Sequence, residues 1–158
     1  MLSEQILTAL QFQLSHEITN AYTYKMFSGI ADYQGLIGAT SWFAKQSDEE
    51  KSHFEKIFTY ICDQGHVPHL LQIPEIIPEN LSLVELFARS CELEFQTTAY
   101  LKLLAQLCKQ ENDDQTYTFI QGMLIEQVEE ERYCGDMHKR VCLSQGNLIL
   151  IDQELGQR

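Results

Sequence analysis

All three prolines of this 158-residue chain, Pro68, Pro74 and Pro78, fall in one segment, HVPHLLQIPEIIPEN at positions 66–80. A proline inside a helix removes a backbone hydrogen bond and clashes with the preceding turn. The segment therefore reads as an extended connection, and the sequence on either side is left free to form long helices. At ~3.3 Å per residue the connection reaches on the order of 50 Å. A helix of about 28 residues is ~42 Å long. The connection can thus run the length of a helical bundle and make the helix after it parallel to the helix before it. A structureless loop of this length is uncommon in a compact domain without such a task.

Apolar residues at three-to-four spacing predict four long helices around this connection. The first runs from about Ser3 to Tyr33, with the stripe Ile6, Leu10, Leu14, Glu17, Ala21, Tyr24, and DYQGLIG (32–38) makes the turn. The second spans roughly 42–64, with Ser41 as its expected N-cap and Gly65 as its stop. Its stripe is Phe43, Ser47, Glu50, Phe54, Ile57, Ile61. Ser82-Leu-Val-Glu85 is a capping box that opens the third helix. That helix carries Leu83, Phe87, Ser90 or Cys91, Glu94, Thr98, Leu101, Leu104 and Cys108. QENDDQ (110–115) is the next turn, capped by Asp113 or Asp114. The fourth helix shows Phe119 or Ile120, Met123, Gln127, Glu130, Cys134, Met137 and Val141. SQGN (144–147) breaks it, and LILIDQEL (148–155) suits a short last helix. The expected fold is all-α: a four-helix bundle with a long crossover between its second and third helices and a short fifth helix, forming a single domain over 1–158.

On each stripe an ionisable or amide group interrupts the apolar series. Glu17 lies on the first helix, Glu50 and His53 on the second, Glu94 on the third, Gln127 and Glu130 on the fourth. Burying an unpaired carboxylate is costly, and no stripe contains a Lys or Arg to offset it. A multivalent cation fits. The spacing strengthens the case. Glu17 and Glu94 are 77 positions apart, as are Glu50 and Gln127, and His53 and Glu130. The chain therefore holds two helical hairpins with matching polar patterns, E…ExxH and E…QxxE, expected to pack about a local twofold axis. Similarity between the halves is one of position only.

Carboxylates with one imidazole at i and i+3 on bundled helices form the pattern of di-iron and di-manganese carboxylate proteins. Oxygen-rich donors with little nitrogen suit iron or manganese better than copper or a thiolate zinc site. Glu50 is placed to bridge two ions, with Glu17, His53, Glu94 and Glu130 as terminal ligands. Gln127-x-x-Glu130, where a Glu-x-x-His is usual, predicts looser holding of the second ion. Glu49, Glu126 and Glu129 form a further acidic group: either a third, weaker metal position or ordinary surface charge. Tyr24 stands one turn beyond Glu17 and Asn20, placed to orient a ligand or give an electron to oxygen.

The set Glu17, Glu50-Lys-Ser-His53, Glu94 and Gln127-Val-Glu-Glu130 resembles the non-haem bacterial ferritins over essentially the whole chain. Tyr24, Glu49, Glu126 and Glu129 match that family's third-site positions. The resemblance implies that Glu17, Glu50 and His53 bind a first iron. Glu50, Glu94 and Glu130 then bind a second, with Gln127 beside it. It implies a homo-oligomeric shell, of 24 subunits, that oxidises Fe²⁺ with O₂ or H₂O₂ and stores it as ferric mineral. The chain departs from related ferritins at Gly122, where a large aromatic is common, and at Val128, where a His is common. The missing aromatic bears on electron donation from that side. Haem-containing bacterioferritins place a Met between the Glu and His of the second helix. Lys51 and Ser52 stand there instead, so no haem is expected. Those proteins also end their ligand set in His, where this chain has Glu130. Mini-ferritins assemble their site across subunits, whereas this chain carries a full set within one bundle.

The sequence reading is a ferroxidase and iron-storage subunit. Its alternatives are a rubrerythrin-like di-iron peroxidase or oxidase, or a catalytically silent shell subunit. Rubrerythrins add a Cys-rich iron site that this chain lacks, and the intact ligand set speaks against silence. The formal net charge of −12 argues against nucleic acid and against an anionic membrane as partners, and suits cations. No apolar run approaches the length of a membrane span. The start, MLSEQILTALQFQLSHE, lacks a basic n-region and a small-residue cleavage site, so a signal peptide is not expected. The five scattered cysteines, Cys62, Cys91, Cys108, Cys134 and Cys142, read as core filler in a reducing cytoplasm. His16 and His138 read as exposed helix residues, His66 and His69 as surface residues of the crossover, and Glu131 as facing water. The LILI run is placed either against its own bundle or in a subunit contact.

Overall fold

A computed structural model describes residues 2–158. Five helices follow one another: α1 (Glu4–Tyr33), α2 (Ile37–Asp63), α3 (Leu83–Gln110), α4 (Asp114–Leu143) and α5 (Leu148–Leu155). Between α2 and α3 the proline-bearing segment has no regular structure and stays mostly exposed. α1 pairs with α2 and α3 with α4 as hairpins, α1 also packs on α3, and α5 lies against α2 and α4.

The helix ends follow from local chemistry. The Ser3 hydroxyl accepts from the Ile6 amide at 3.2 Å and caps α1. Ser82 and Glu85 form the expected capping box on α3. Of the two candidate caps for α4 it is Asp113, whose Oδ1 accepts from the Thr116 amide at 2.9 Å. The turn after α1 uses Gly35 at φ 76°, a conformation that a side chain disfavours.

The start of α2 differs from the sequence reading. The helix begins at Ile37, not at 42, and Ser41 is not its cap. Its N-cap, Leu36, supplies no side-chain hydrogen bond. The free amides of the first turn are satisfied from far along the chain. Asp152 on α5 accepts from Gly38 N at 3.0 Å and from Ala39 N at 2.8 Å. A carboxylate is the favoured partner for a helix N-terminus, and here tertiary structure delivers it. Gly38 is what allows the approach. A Cβ built there would fall 1.8 Å from the Asp152 carbonyl oxygen.

The core has two apolar ends. One gathers Tyr24, Phe27, Trp42, Phe43, Leu86, Phe87 and Val141, with Ile151 and Leu155 of α5. The other gathers Ile6, Leu10, Leu14, Ile57, Ile61, Leu101, Ile120 and Met123. Between them the stripes turn polar on every long helix: Gln13, Glu17 and Asn20; Gln46, Ser47, Glu50 and His53; Ser90, Glu94 and Thr97; Gln127. The buried member of the third stripe is Thr97, and Thr98 lies at its edge.

Candidate metal centre

Three carboxylates, Glu17, Glu50 and Glu94, are each no more than 1% exposed, and no Lys or Arg is buried among the described residues. Glu17 Oε1 accepts from Gln13 Nε2 at 2.6 Å. Its other oxygen has no partner. Neither oxygen of Glu50 has one, nor does His53 Nδ1. His53 Nδ1 lies 3.5 Å from Glu50 Oε2 and 4.0 Å from Glu17 Oε2. The donor atoms of these three residues all fall within 4.8 Å of one another. Native structures rarely leave buried polar atoms unsatisfied, and here four converge. Two carboxylates and an imidazole form a donor set suited to a divalent transition metal. The far side of the His53 ring faces Glu126, with Nε2 3.4 Å from Oε2. A carboxylate in that place favours the tautomer that leaves Nδ1 free to ligate.

Glu94 and Glu130 are arranged differently. Glu94 Oε1 accepts from the Tyr24 hydroxyl at 2.5 Å, and Oε2 from Gln127 Nε2 at 3.2 Å. Glu130 is half-buried, and its Oε2 accepts from Gln46 Nε2 at 3.1 Å. These two carboxylates are thus tied to donors from neighbouring helices, while the first cluster is left open.

The electrostatics follow from crowding acids in a dry layer. Burial, and then Glu50, pushes the Glu17 carboxyl well above the ordinary range. Burial, and then Glu94, does the same to Glu50. Burial raises Glu94 to about 7, against the lowering effect of the Tyr24 and Gln127 hydrogen bonds. Burial, and then Glu94, pushes the Tyr24 phenol up as well, so Tyr24 stays a protonated donor at neutral pH. An ion bound here would relieve the repulsion among the acids.

Of the three outer acids only Glu126 touches this cluster, through the far side of His53. Glu49 Oε2 is held by Arg158 Nη2 at 2.5 Å. Glu126 is paired with Lys56 Nζ, at 2.6 Å to Oε2 and 2.8 Å to Oε1. Glu129 is exposed. Arg158 also spans Trp42 and Tyr133, with its guanidinium 4.7 and 4.9 Å from their ring centroids. It donates to Gln46 Oε1 at 3.0 Å, so a relay runs from Arg158 through Gln46 to Glu130.

Several side chains escaped the sequence reading. Gln13, Gln46 and Arg158 position the acids, and nothing marked Gln46 or Arg158 in advance. Gln13 and Asn20 flank Glu17 at i−4 and i+3, which puts them on its helix face and was a usable signal. His16 is not the exposed residue expected. It is half-buried, 2.8 Å from Thr97 Oγ1 and edge-on to Tyr100, and burial lowers its pKa to about 4. His138 is likewise half-buried rather than fully solvated. The cysteines are only partly core filler. Cys108 and Cys134 are buried, Cys91 is intermediate, and Cys62 and Cys142 are exposed because they fall off the stripes.

Comparison with known proteins gives the chain its relatives. The Ferritin-like domain family matches residues 7–142. The bacterial non-heme ferritin of Staphylococcus aureus (strain USA300) is 31% identical over 162 residues, covering 100% of this chain and 97% of that protein. Its counterpart in Staphylococcus saprophyticus is 30% identical over 161 residues, covering 100% and 96%. Among solved structures, the open pore ferritin of the hyperthermophilic archaeon Archaeoglobus fulgidus superposes with a TM-score of 0.96. It is 32% identical, with 99% of this chain and 98% of that one covered. A humanized archaeal ferritin gives a TM-score of 0.97 at 32% identity, covering 100% and 98%. The fold is the all-α ferritin-like bundle with a short C-terminal helix, and the chain belongs to the ferritin family. No helix among the described residues is long and apolar enough to cross a membrane.

Proposed function

We propose that this protein is a ferroxidase and iron-storage subunit. Fe²⁺ is its substrate and O₂ or H₂O₂ its electron acceptor. Ferric product is stored as mineral in a homo-oligomeric shell of 24 copies, in the cytoplasm. A single observation carries the reading: four unpartnered donor atoms of Glu17, Glu50 and His53 converge in a buried layer that holds no cationic side chain.

In this reading Glu17, Glu50 and His53 hold the first Fe²⁺. Glu50, Glu94 and Glu130 hold the second, with Gln127 beside it. The first position is open from the outset. The second opens when Glu94 exchanges the hydrogen bonds of Tyr24 and Gln127 for an ion, which makes it the weaker of the two. Each Fe²⁺ gives one electron, so two ions supply the pair that reduces O₂ to peroxide. Tyr24 keeps its proton on the oxygen beside Glu94 and orients that carboxylate. Glu49, Glu126 and Glu129 supply a third, weaker position, entered when Fe²⁺ displaces Arg158 and Lys56. The acidic surface raises the local concentration of cations.

The test is anaerobic Fe²⁺ loading of the metal-free protein, then mixing with oxygenated buffer in a stopped-flow spectrometer, with size exclusion on the same sample. A fast absorbance phase that saturates at two to three Fe²⁺ per subunit, in a particle far larger than one chain, supports the reading. A particle that oxidises Fe²⁺ no faster than buffer overturns it.

A further inference from the structure

Two thiols stand close to the metal centre without belonging to it. Cys91 on α3 and Cys134 on α4 bring their sulfurs to 3.2 Å. Apolar side chains in ordinary contact keep their heavy atoms about 4 Å apart. This pair is closer than that. Closing to the ~2.05 Å of a disulfide needs a movement of only about 1.2 Å, between helices that already pack on each other. Cys134 is 3% exposed, and Cys91 is half-buried and reachable from the surface. Cys134 Sγ also lies 3.8 Å from the Phe87 carbonyl oxygen, which fixes its direction toward α3. No other two cysteines among the described residues approach in this way.

The placement gives the pair a consequence. Glu94 is three residues beyond Cys91 on α3, and Glu130 is four residues before Cys134 on α4. Both sulfurs therefore sit one helical turn from a carboxylate of the second metal position. A bond between them would fix the spacing of α3 and α4 at that level.

We propose that Cys91 and Cys134 are a peroxide-oxidisable dithiol that closes into an intrachain disulfide clamping α3 to α4 beside Glu94 and Glu130. The oxidant is hydrogen peroxide. The Cys91 sulfur, the more accessible, attacks one peroxide oxygen. An S–O bond forms, the O–O bond breaks, and the Cys91 proton passes to the departing hydroxide, which leaves as one water and gives the sulfenic acid. The Cys134 sulfur then attacks the Cys91 sulfur. The S–S bond forms, the S–O bond breaks, and the Cys134 proton leaves with the hydroxyl as a second water. Two electrons pass from the sulfurs to one peroxide, and a dithiol reductant reverses the change. Burial raises both thiols, so at rest both are protonated and loss of the Cys91 proton limits the rate of the first step.

The experiment uses the full chain with Cys62→Ser and Cys142→Ser, so that the exposed thiols do not compete. The metal-free protein is treated with hydrogen peroxide, denatured in N-ethylmaleimide and mapped without reduction. The expected result is a Cys91–Cys134 linked peptide pair and an intact mass lower by two hydrogens. Cys108 stays free, and dithiothreitol reverses the change. The same protein with Cys91→Ser shows no such link; should that variant not fold, the mapped link in its parent decides alone. The proposal is overturned if Cys91 and Cys134 both remain alkylatable after denaturation, or if Cys91 is carried to sulfinic acid with Cys134 unlinked. No iron is present, so failure here leaves the ferroxidase reading standing.

Discussion

Asn20 Nδ2 donates to Thr97 Oγ1 at 3.1 Å, and the two residues are 77 positions apart, the interval that also separates Glu17 from Glu94. Residues equivalent under a repeat touch each other only beside the axis relating the two halves. The contact thus marks where the two hairpins meet. His16 joins it, 2.8 Å from Thr97 Oγ1 and 3.2 Å from Asn20 Nδ2. Thr97→Val keeps the shape but removes the hydroxyl that Asn20 and His16 both contact. We expect a loss of about 2 kcal/mol, read as a lower denaturant midpoint at unchanged slope. An unchanged midpoint would show that the contact contributes nothing.

Tyr24→Phe removes one of the hydrogen bonds that stabilise ionised Glu94. The Glu94 carboxyl then moves further up, and Fe²⁺ must displace a proton at higher pH. The acid limb of the Fe²⁺ oxidation profile should shift toward higher pH by about one unit. Were Tyr24 mainly an electron donor, the rate would fall at every pH without such a shift.

Metal-free protein should lose stability as pH rises through the slightly acid range. Folded Glu94 holds its proton up to about pH 7, while the unfolded chain releases it near 4.5. In that window the unfolded state binds fewer protons, so stability falls with rising pH. Below about 4.5 the penalty is absent, and above 7 it is complete, on the order of 3 kcal/mol. Glu17 and Glu50 are also raised and act in the same direction. Thermal unfolding at a series of pH values, with Glu94→Gln alongside, checks this. The variant should show the shallower slope.

Glu50→Gln keeps the volume of the side chain and removes a buried charge. We expect Fe²⁺ oxidation to slow by at least about tenfold, roughly the loss of 1.4 kcal/mol of transition-state stabilisation. The metal-free protein should meanwhile lose less stability than the wild type as pH rises, because the raised Glu50 carboxyl is gone. Oxidation at the wild-type rate would remove Glu50 from the chemistry.

Arg158→Ala uncovers Trp42, the single tryptophan, and releases Glu49. The tryptophan emission should move to the red. Binding of a third Fe²⁺ or of a redox-inert divalent cation should tighten, because Glu49 no longer has a competing partner. Titration calorimetry against the wild type separates the two effects.

Much of this architecture was legible from periodicity and spacing. The apolar stripes, the proline-bearing connection and the 77-residue interval placed Glu17, Glu50, His53, Glu94 and Gln127 at one buried level. Such features repeat every three to four residues and are written locally. Contacts made only by tertiary folding were not legible. Ser41 has the right chemistry for a cap, yet Asp152, more than a hundred residues away, serves the amides of Gly38 and Ala39. His16 sits one step off its stripe, and only the approach of Thr97 and Tyr100 from α3 buries it. Arg158 lies outside the four long helices, and no pattern tied it to Gln46, Glu49 or Trp42. Cys91 and Cys134 each fit a stripe as filler; their meeting depends on how α3 and α4 are rotated against each other.

The bond from Asp152 to the start of α2 also sets an order of events during synthesis. A ribosome releases residues 37–63 long before residue 152. Until then the amides of Gly38 and Ala39 lack the carboxylate that they bind in the folded chain. They gain it when α5 emerges and swings over Gly38, where the missing side chain leaves room. The last short helix therefore works as a latch on the first hairpin, and a chain cut before it would leave the ribosome with an open end beside Trp42.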